Sequence, residues 1–165
     1  MAVKLVGKEI VGVEVKDLLK KLTTAFADEW SAYYQYWLGA QIAKGVMRPA
    51  IVAELMEHAG EELKHAQMIT DRIIQLDGTV HMLPSEWEKF GSCKYNAVKS
   101  EDSIILLKEN IKGEQCAIKF YNSLLTELHC KDFVTANIIN KILEDEVKHE
   151  QDLTMLLEDL ELCCK

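Results

Sequence analysis

Proline is scarce in this chain, with 2 in 165 residues, and glycine is modest at 8. So few turn-formers exclude a many-stranded β-sandwich and leave long helices as the natural elements. No apolar run approaches the roughly 18 residues that a membrane-spanning helix needs. The opening residues, Met1 to Lys8, are punctuated by Lys4 and Lys8, so no secretory signal is expected and the cytoplasm is the expected compartment. Basic residues are outnumbered, 19 Lys and Arg against 27 Asp and Glu, for a net charge of −8. A surface of that sign repels nucleic acid. The five cysteines include no C-x-x-C pair and, in an unsecreted chain, read as reduced, redox-active or incidental thiols and not as a disulfide framework. What remains is 48% hydrophobic and 28% charged, enough to build one soluble core and too ordered for a disordered chain.

Apolar residues recur at helical spacing through four stretches. The first, about 15–44, carries Leu18, Leu22, Phe26, Tyr33, Tyr36, Trp37 and Ala40 on one stripe. Gly45 and Pro49 punctuate the chain, with Pro49 placed to open the second stretch, about 49–77, which carries Val52, Leu55, Ala59, Ala66, Ile69 and Ile73 and stops at Asp77-Gly78. The third, 101–128, follows Ser100 as N-cap, with Glu101 and Asp102 in its first turn. The fourth, 132–162, carries Ile139, Ile142, Leu143, Leu153, Leu157 and Leu160. Each would be roughly 40 Å long and must bury its stripe against the others, which predicts an all-α four-helix bundle in a single domain over 1–165. Residues 1–14 form an N-terminal tail. The crossover, 78–100, is long enough to run the length of the bundle, and Ser85-Glu86-Trp87-Glu88 predicts a short capped helix near 86–90. Two hairpins joined by one long crossover is ferritin-like connectivity.

Charged and imidazole side chains interrupt the apolar stripes. Glu29 lies between Leu22, Phe26, Tyr33 and Tyr36. Glu62 and His65 lie between Leu55, Ala59, Ala66 and Ile69, and Glu114 between Leu107, Ile111, Ile118 and Tyr121. Glu146 and His149 lie between Ile139, Ile142, Leu143 and Leu153. Four ionised carboxylates converging inside a bundle are prohibitive without compensation, and two divalent cations would supply it. Glu62-x-x-His65 and Glu146-x-x-His149 each place a carboxylate and an imidazole on one helical face. The halves repeat: Glu29 precedes Glu62 by 33 residues and Glu114 precedes Glu146 by 32, with Tyr36 matching Tyr121. A lone Glu-x-x-His is usually a solvated helix pair, but inward placement, twofold repetition and matched spacing together favour a dimetal site. Oxygen donors with one imidazole per metal suit iron or manganese, and the lack of thiolate argues against structural zinc. His58, one heptad before His65, reads as a core or supporting histidine. No role is assigned to His81 or His129.

The stretch Ala27-Asp28-Glu29-Trp30-Ser31-Ala32-Tyr33-Tyr34-Gln35-Tyr36, the Glu62-x-x-His65-Ala66 segment, Glu114 and Glu146-x-x-His149-Glu150 resemble the ferritin-like di-iron proteins, bacterioferritin in particular, over essentially the whole chain. The resemblance implies that Glu62 and Glu146 bridge two metals, that Glu29 with His65 completes one and Glu114 with His149 the other. It makes Tyr36 a hydrogen-bonding support that does not itself touch metal. Leu63 stands where bacterioferritin carries its haem-ligating Met, so no haem is expected.

Cys93, within Ser92-Cys93-Lys94-Tyr95 in the crossover, and Cys116, two residues after Glu114, resemble the pattern of the Dps-like proteins called thioferritins. That resemblance implies a cysteine pair near the dimetal centre and a dodecameric cage. Two residues along a helix is about 200°, so Cys116 cannot share the face of Glu114 and would meet Cys93 under the crossover. Cys130, Cys163 and Cys164 read as incidental. The chain ends after the fourth helix without the further short helix of larger cages, an expectation that also favours twelve subunits.

The expected activity is ferroxidase chemistry: two Fe(II) ions oxidised by hydrogen peroxide, with O2 as the alternative oxidant, and the Fe(III) stored, with protection against oxidative stress as the outcome. Alternatives are a manganese catalase or a rubrerythrin-type peroxidase, the latter weakened by the missing C-x-x-C pairs. A DNA-compacting Dps-type protein is the non-enzymatic alternative, weakened by a tail offering only Lys4 and Lys8.

Overall fold

A computed structural model describes residues 6–94 and 99–163; Lys4, Tyr95, Cys164 and Lys165 lie outside the described residues. Among these, α1 (Val6–Glu9) is a single turn within the expected tail. α2 (Val15–Ile42) and α3 (Arg48–Gln75) form one antiparallel pair, and α5 (Ser103–Leu128) and α6 (Phe133–Cys163) the other. The crossover holds a 3-10 turn, Pro84–Glu86, continuous with α4 (Trp87–Phe90). The pairs meet along α3 with α6 and α2 with α5, closing a four-helix bundle with no strand among the described residues. Among the described residues, no helix is long and apolar enough to cross a membrane.

The helix ends follow local hydrogen bonding. α2 stops at Ile42, short of the expected Lys44, because the Lys44 backbone pairs instead with the start of α5. Its N–H reaches Glu101 O at 2.7 Å, and its carbonyl accepts from the Ser103 hydroxyl at 2.8 Å. That pairing holds Asp102 extended, so Asp102, and not the expected Ser100, caps α5 by accepting the Ile104 N–H at 2.9 Å. The Ser100 hydroxyl accepts the Asp102 N–H. Arg48, not Pro49, is the first residue of α3. At its other end Asp77 takes the left-handed conformation at φ 67°, and the Gly78 N–H closes back onto Ile73 O. In the crossover the capping carboxylate is Glu86, accepting from Leu83 N, in place of the expected Ser85–Glu88 arrangement.

The apolar core falls into two clusters. One gathers Leu18, Leu22, Ile69, Ile73, Tyr121, Leu124, Leu128, Ile139 and Ile142; the other gathers Tyr36, Ala40, Ile51, Leu55, Leu107, Leu153 and Leu160. Each fully buried Leu or Ile contributes roughly 2 kcal/mol of transfer free energy. Between the clusters, at mid-bundle, lies a layer of charged side chains. Trp37, expected on the buried stripe, is 38% exposed: it sits about 100° around the helix from Tyr36, which takes the core position.

Candidate metal centre

The mid-bundle layer is built from one helical position on each of α2 and α5 and a Glu-x-x-His pair on each of α3 and α6. Glu29, Glu62, His65, Glu114, Glu146 and His149 are all at most 3% exposed. Their ligand atoms fall into two groups of four: Glu29, Glu62, His65 and Glu146, and Glu62, Glu114, Glu146 and His149. Glu62 and Glu146 belong to both. His65 Nδ1 lies 3.4 Å from Glu29, 3.3 Å from Glu62 and 3.5 Å from Glu146. His149 Nδ1 lies 3.3 Å from Glu62, 3.4 Å from Glu146 and 3.9 Å from Glu114. All six residues singled out in the sequence therefore meet at one place.

The donor set fits cations. Glu29 Oε2, Glu62 Oε1, Glu114 Oε2 and His149 Nδ1 are buried without a hydrogen-bond partner, and such orphans are costly unless something positive ligates them. Without a metal the site neutralises itself with protons. Burial, reinforced by neighbouring carboxylates, raises the Glu29 and Glu114 carboxyls well above their usual range. Burial alone would push both imidazoles down. The facing carboxylates, Glu146 first and then its neighbours, outweigh it, raising His65 strongly and holding His149 up at about 10. Glu146, which burial would raise, is drawn down to about 2 by the same two histidines. An all-carboxylate and imidazole set of this kind can hold two first-row divalent ions in place of those protons.

Each imidazole has its other nitrogen anchored outside the cluster. His65 Nε2 lies 3.0 Å from Asp145 Oδ2 on α6, and His149 Nε2 lies 2.8 Å from Glu61 Oε2 on α3. A carboxylate there holds the hydrogen on Nε2 and turns the Nδ1 lone pair inward. Asp145 and Glu61 were not picked out from sequence, although a signal existed: each immediately precedes a motif glutamate, as Glu61-Glu62 and Asp145-Glu146. The tyrosines support the carboxylates crosswise. Tyr36, two turns beyond Glu29 on α2, donates to Glu114 on α5, while Tyr121 donates to Glu29. Burial and the surrounding carboxylates raise both phenols, so they stay protonated donors. His58, also buried, stacks on His149 with ring centroids 4.0 Å apart.

Cys93 and Cys116 are joined as a disulfide with Cα atoms 5.7 Å apart, while Cys130 and Cys163 are free. Asp28, the neighbour of Glu29, holds the crossover there. Its carboxylate accepts the Ser92 N–H and hydroxyl and the Cys93 N–H at 2.7–3.1 Å. The approach is close enough that a Cβ on Gly91 would lie 2.5 Å from Asp28 Oδ1. Cys93 and Lys94 thereby line, with Glu29, Glu62, Glu114 and Glu146, a cavity of about 40 Å³, room for a few water-sized molecules.

The chain matches the ferritin-like domain family over residues 19–163. Among solved structures it is similar to a dodecameric thioferritin, the bacterioferritin-related protein of Bacteroides fragilis. The two are 41% identical with a TM-score of 0.90, covering 92% of this chain and 90% of that one. It is 31% identical, over 86% of its length and 77% of the relative's, to the DNA protection during starvation protein of Pyrococcus furiosus. It is 27% identical to the bacterioferritin BfrA of Mycobacterium tuberculosis over 86% of this chain and 84% of that protein.

Proposed function

Because this chain belongs to the ferritin-like domain family, we propose that it is a ferroxidase and iron-storage protein that oxidises Fe(II) with hydrogen peroxide at the mid-bundle site. The observation that carries the reading is the meeting of four buried carboxylates and two inward-facing imidazoles whose orphaned atoms call for two cations. Glu62 and Glu146, the members common to both groups, would bridge the two positions. Glu29 and His65 would complete one, and Glu114 and His149 the other.

Two Fe(II) ions are the substrate. Hydrogen peroxide accepts one electron from each and two protons, giving two waters and two Fe(III). Pairing the electrons avoids release of hydroxyl radical. Tyr36 and Tyr121 orient Glu114 and Glu29, and Asp145 and Glu61 keep the two imidazoles in the ligating tautomer. The cavity beside the disulfide admits a small oxidant while the two apolar clusters seal the bundle on either side. The acidic surface draws cations inward.

A dodecameric cage, the assembly named for the Bacteroides fragilis relative, would give the Fe(III) a shared interior to mineralise in. We place it in the cytoplasm and its role in protection from oxidative stress. The Pyrococcus furiosus relative is named for DNA protection, but a net charge of −8 weighs against direct DNA contact here.

Stopped-flow Fe(II) oxidation with peroxide tests the reading. Glu62→Ala and Glu146→Ala are each expected to abolish the rapid phase while the assembly, followed by size exclusion with mass detection, persists. Unaltered rapid oxidation in both variants overturns it. Sustained oxygen evolution by manganese-loaded protein without iron consumption would favour the manganese catalase instead.

A further inference from the structure

Apart from the six residues of the mid-bundle site, a third set of potential ligands lies along the same α3–α6 seam. Glu54 and His58 stand one turn apart on α3, and Asp152 faces them from α6. One ligand atom from each lies within 4.8 Å of the others. His58 has no exposed surface, and neither of its ring nitrogens makes a hydrogen bond. Its Nε2 is 3.1 Å from Glu54 Oε1, too poorly aligned for a hydrogen bond, and 3.9 Å from Asp152 Oδ2. The two carboxylates are each 27% exposed, so solvent reaches the mouth of the set while its nitrogen stays sealed beneath.

We propose that Glu54, His58 and Asp152 form a third, mononuclear site for a first-row divalent cation, distinct from the mid-bundle pair. Two donors about 2.1 Å from one ion and at right angles stand ~3 Å apart, which is the His58–Glu54 separation. Asp152 needs a small inward rotation to join them, and water completes the coordination on the open side. One imidazole with two carboxylates suits Fe(II), Mn(II), Co(II) or Zn(II). An ion there gives the buried, unpartnered His58 Nε2 a ligand bond that a purely structural histidine would leave unmade. The nearby cation, Lys148, keeps its exposed Nζ 3.8 Å from Asp152, loose enough for a divalent ion to displace. Since the His58 ring stacks on His149, the third ion would sit directly behind a ligand of the mid-bundle site, as a waypoint for metal moving between that site and solvent.

Anaerobic Co(II) titration of the assembled protein, read by visible absorption and by metal analysis after dialysis, tests this. Wild type is expected to bind three ions per chain and E54Q/D152N two. E62Q/E146Q, which disables the mid-bundle pair, is expected to keep an ion that the quadruple variant loses. A wild-type stoichiometry that E54Q/D152N leaves unchanged, whatever its value, overturns the third site. A single ion lost in E54Q/D152N but kept in E62Q/E146Q would sustain the third site while overturning the mid-bundle reading. Should the double variant fail to assemble, E54Q alone is expected to weaken one binding event at least tenfold, and unchanged affinity in E54Q overturns the proposal.

Discussion

The hydroxyl of Tyr121 on α5 donates to the carboxylate of Glu29 on α2, across the bundle and not along its own helix. Tyr36 on α2 returns the contact to Glu114 on α5. Each tyrosine thus braces a carboxylate supplied by the other half of the chain, so the two hairpins must dock before either carboxylate is positioned. Y121F and Y36F are expected to lower Mn(II) affinity at the position served by the affected glutamate by roughly tenfold, with helicity unchanged, as read by calorimetric titration. Unaltered affinity in both would mean the hydroxyls only fill space.

Asp145 and Glu61 exchange partners in the same crosswise fashion. Replacing either with its amide lets the side chain donate to Nε2 and so favours the imidazole tautomer whose Nδ1 carries hydrogen. Asp145→Asn and Glu61→Gln are therefore expected to weaken metal binding by roughly 10- to 100-fold, one position each. Competition against a chelator of known affinity would measure it.

Metal loading should release protons. In metal-free protein His149 is held up at about 10 by Glu146 and Glu62, against the pull of burial, and so is charged at neutral pH. A ligating Nδ1 must be unprotonated. At least one proton per chain is expected to leave on Mn(II) addition at pH 7, detectable with an indicator dye in weak buffer, and affinity should fall as pH drops.

Arg72 and Asp132 form a buried ion pair at 2.9 Å at one end of the bundle, away from the mid-bundle site. Asp132 also caps α6, accepting the Val134 and Thr135 amides. Burial pushes its carboxyl up, but its hydrogen bonds with Thr135 and Arg72 prevail and hold it below 3.8. A depressed folded value contributes stability that is present above 3.8 and lost as pH falls through the folded value. Asp132→Ala is expected to cost about 3 kcal/mol at pH 7 by chemical denaturation, leaving Arg72 buried and unpaired, and the difference from wild type should shrink at acid pH.

The Cys93–Cys116 bridge spans 23 residues of chain and ties the crossover to α5. Closing a loop of that length restricts the unfolded chain by about 3 kcal/mol. A reduced sample, or C93S/C116S, is expected to show a correspondingly lower denaturation midpoint under matched conditions.

Much of this was legible in order of residues. The three- to four-residue spacing within each helix, as in Leu18 and Leu22, Ile69 and Ile73, Leu107 and Ile111, and Ile139 and Ile142, marks the bundle, because a buried stripe must recur once per turn. Glu29, Glu62, Glu114 and Glu146 stand out because a charge on such a stripe contradicts the rule that placed it there. Trp37 misled because it adjoins the core position of Tyr36 and is equally apolar. The N-cap of α5 shifted from Ser100 to Asp102 because a backbone pairing with Lys44, distant in sequence, holds residue 102 extended.

Periodicity and internal repetition, both short-range properties, were enough to determine from the amino-acid order that this protein is a helical bundle with acids and imidazoles at its middle. Which tyrosine braces which glutamate and which outer carboxylate turns each imidazole were decided only by docking one hairpin on the other, and that Asp28 pins the crossover beside Cys93 only by folding the crossover onto α2. Those contacts join residues 64 to 92 positions apart, and their partners depend on the rotation and register of helices against each other, which no single helix encodes.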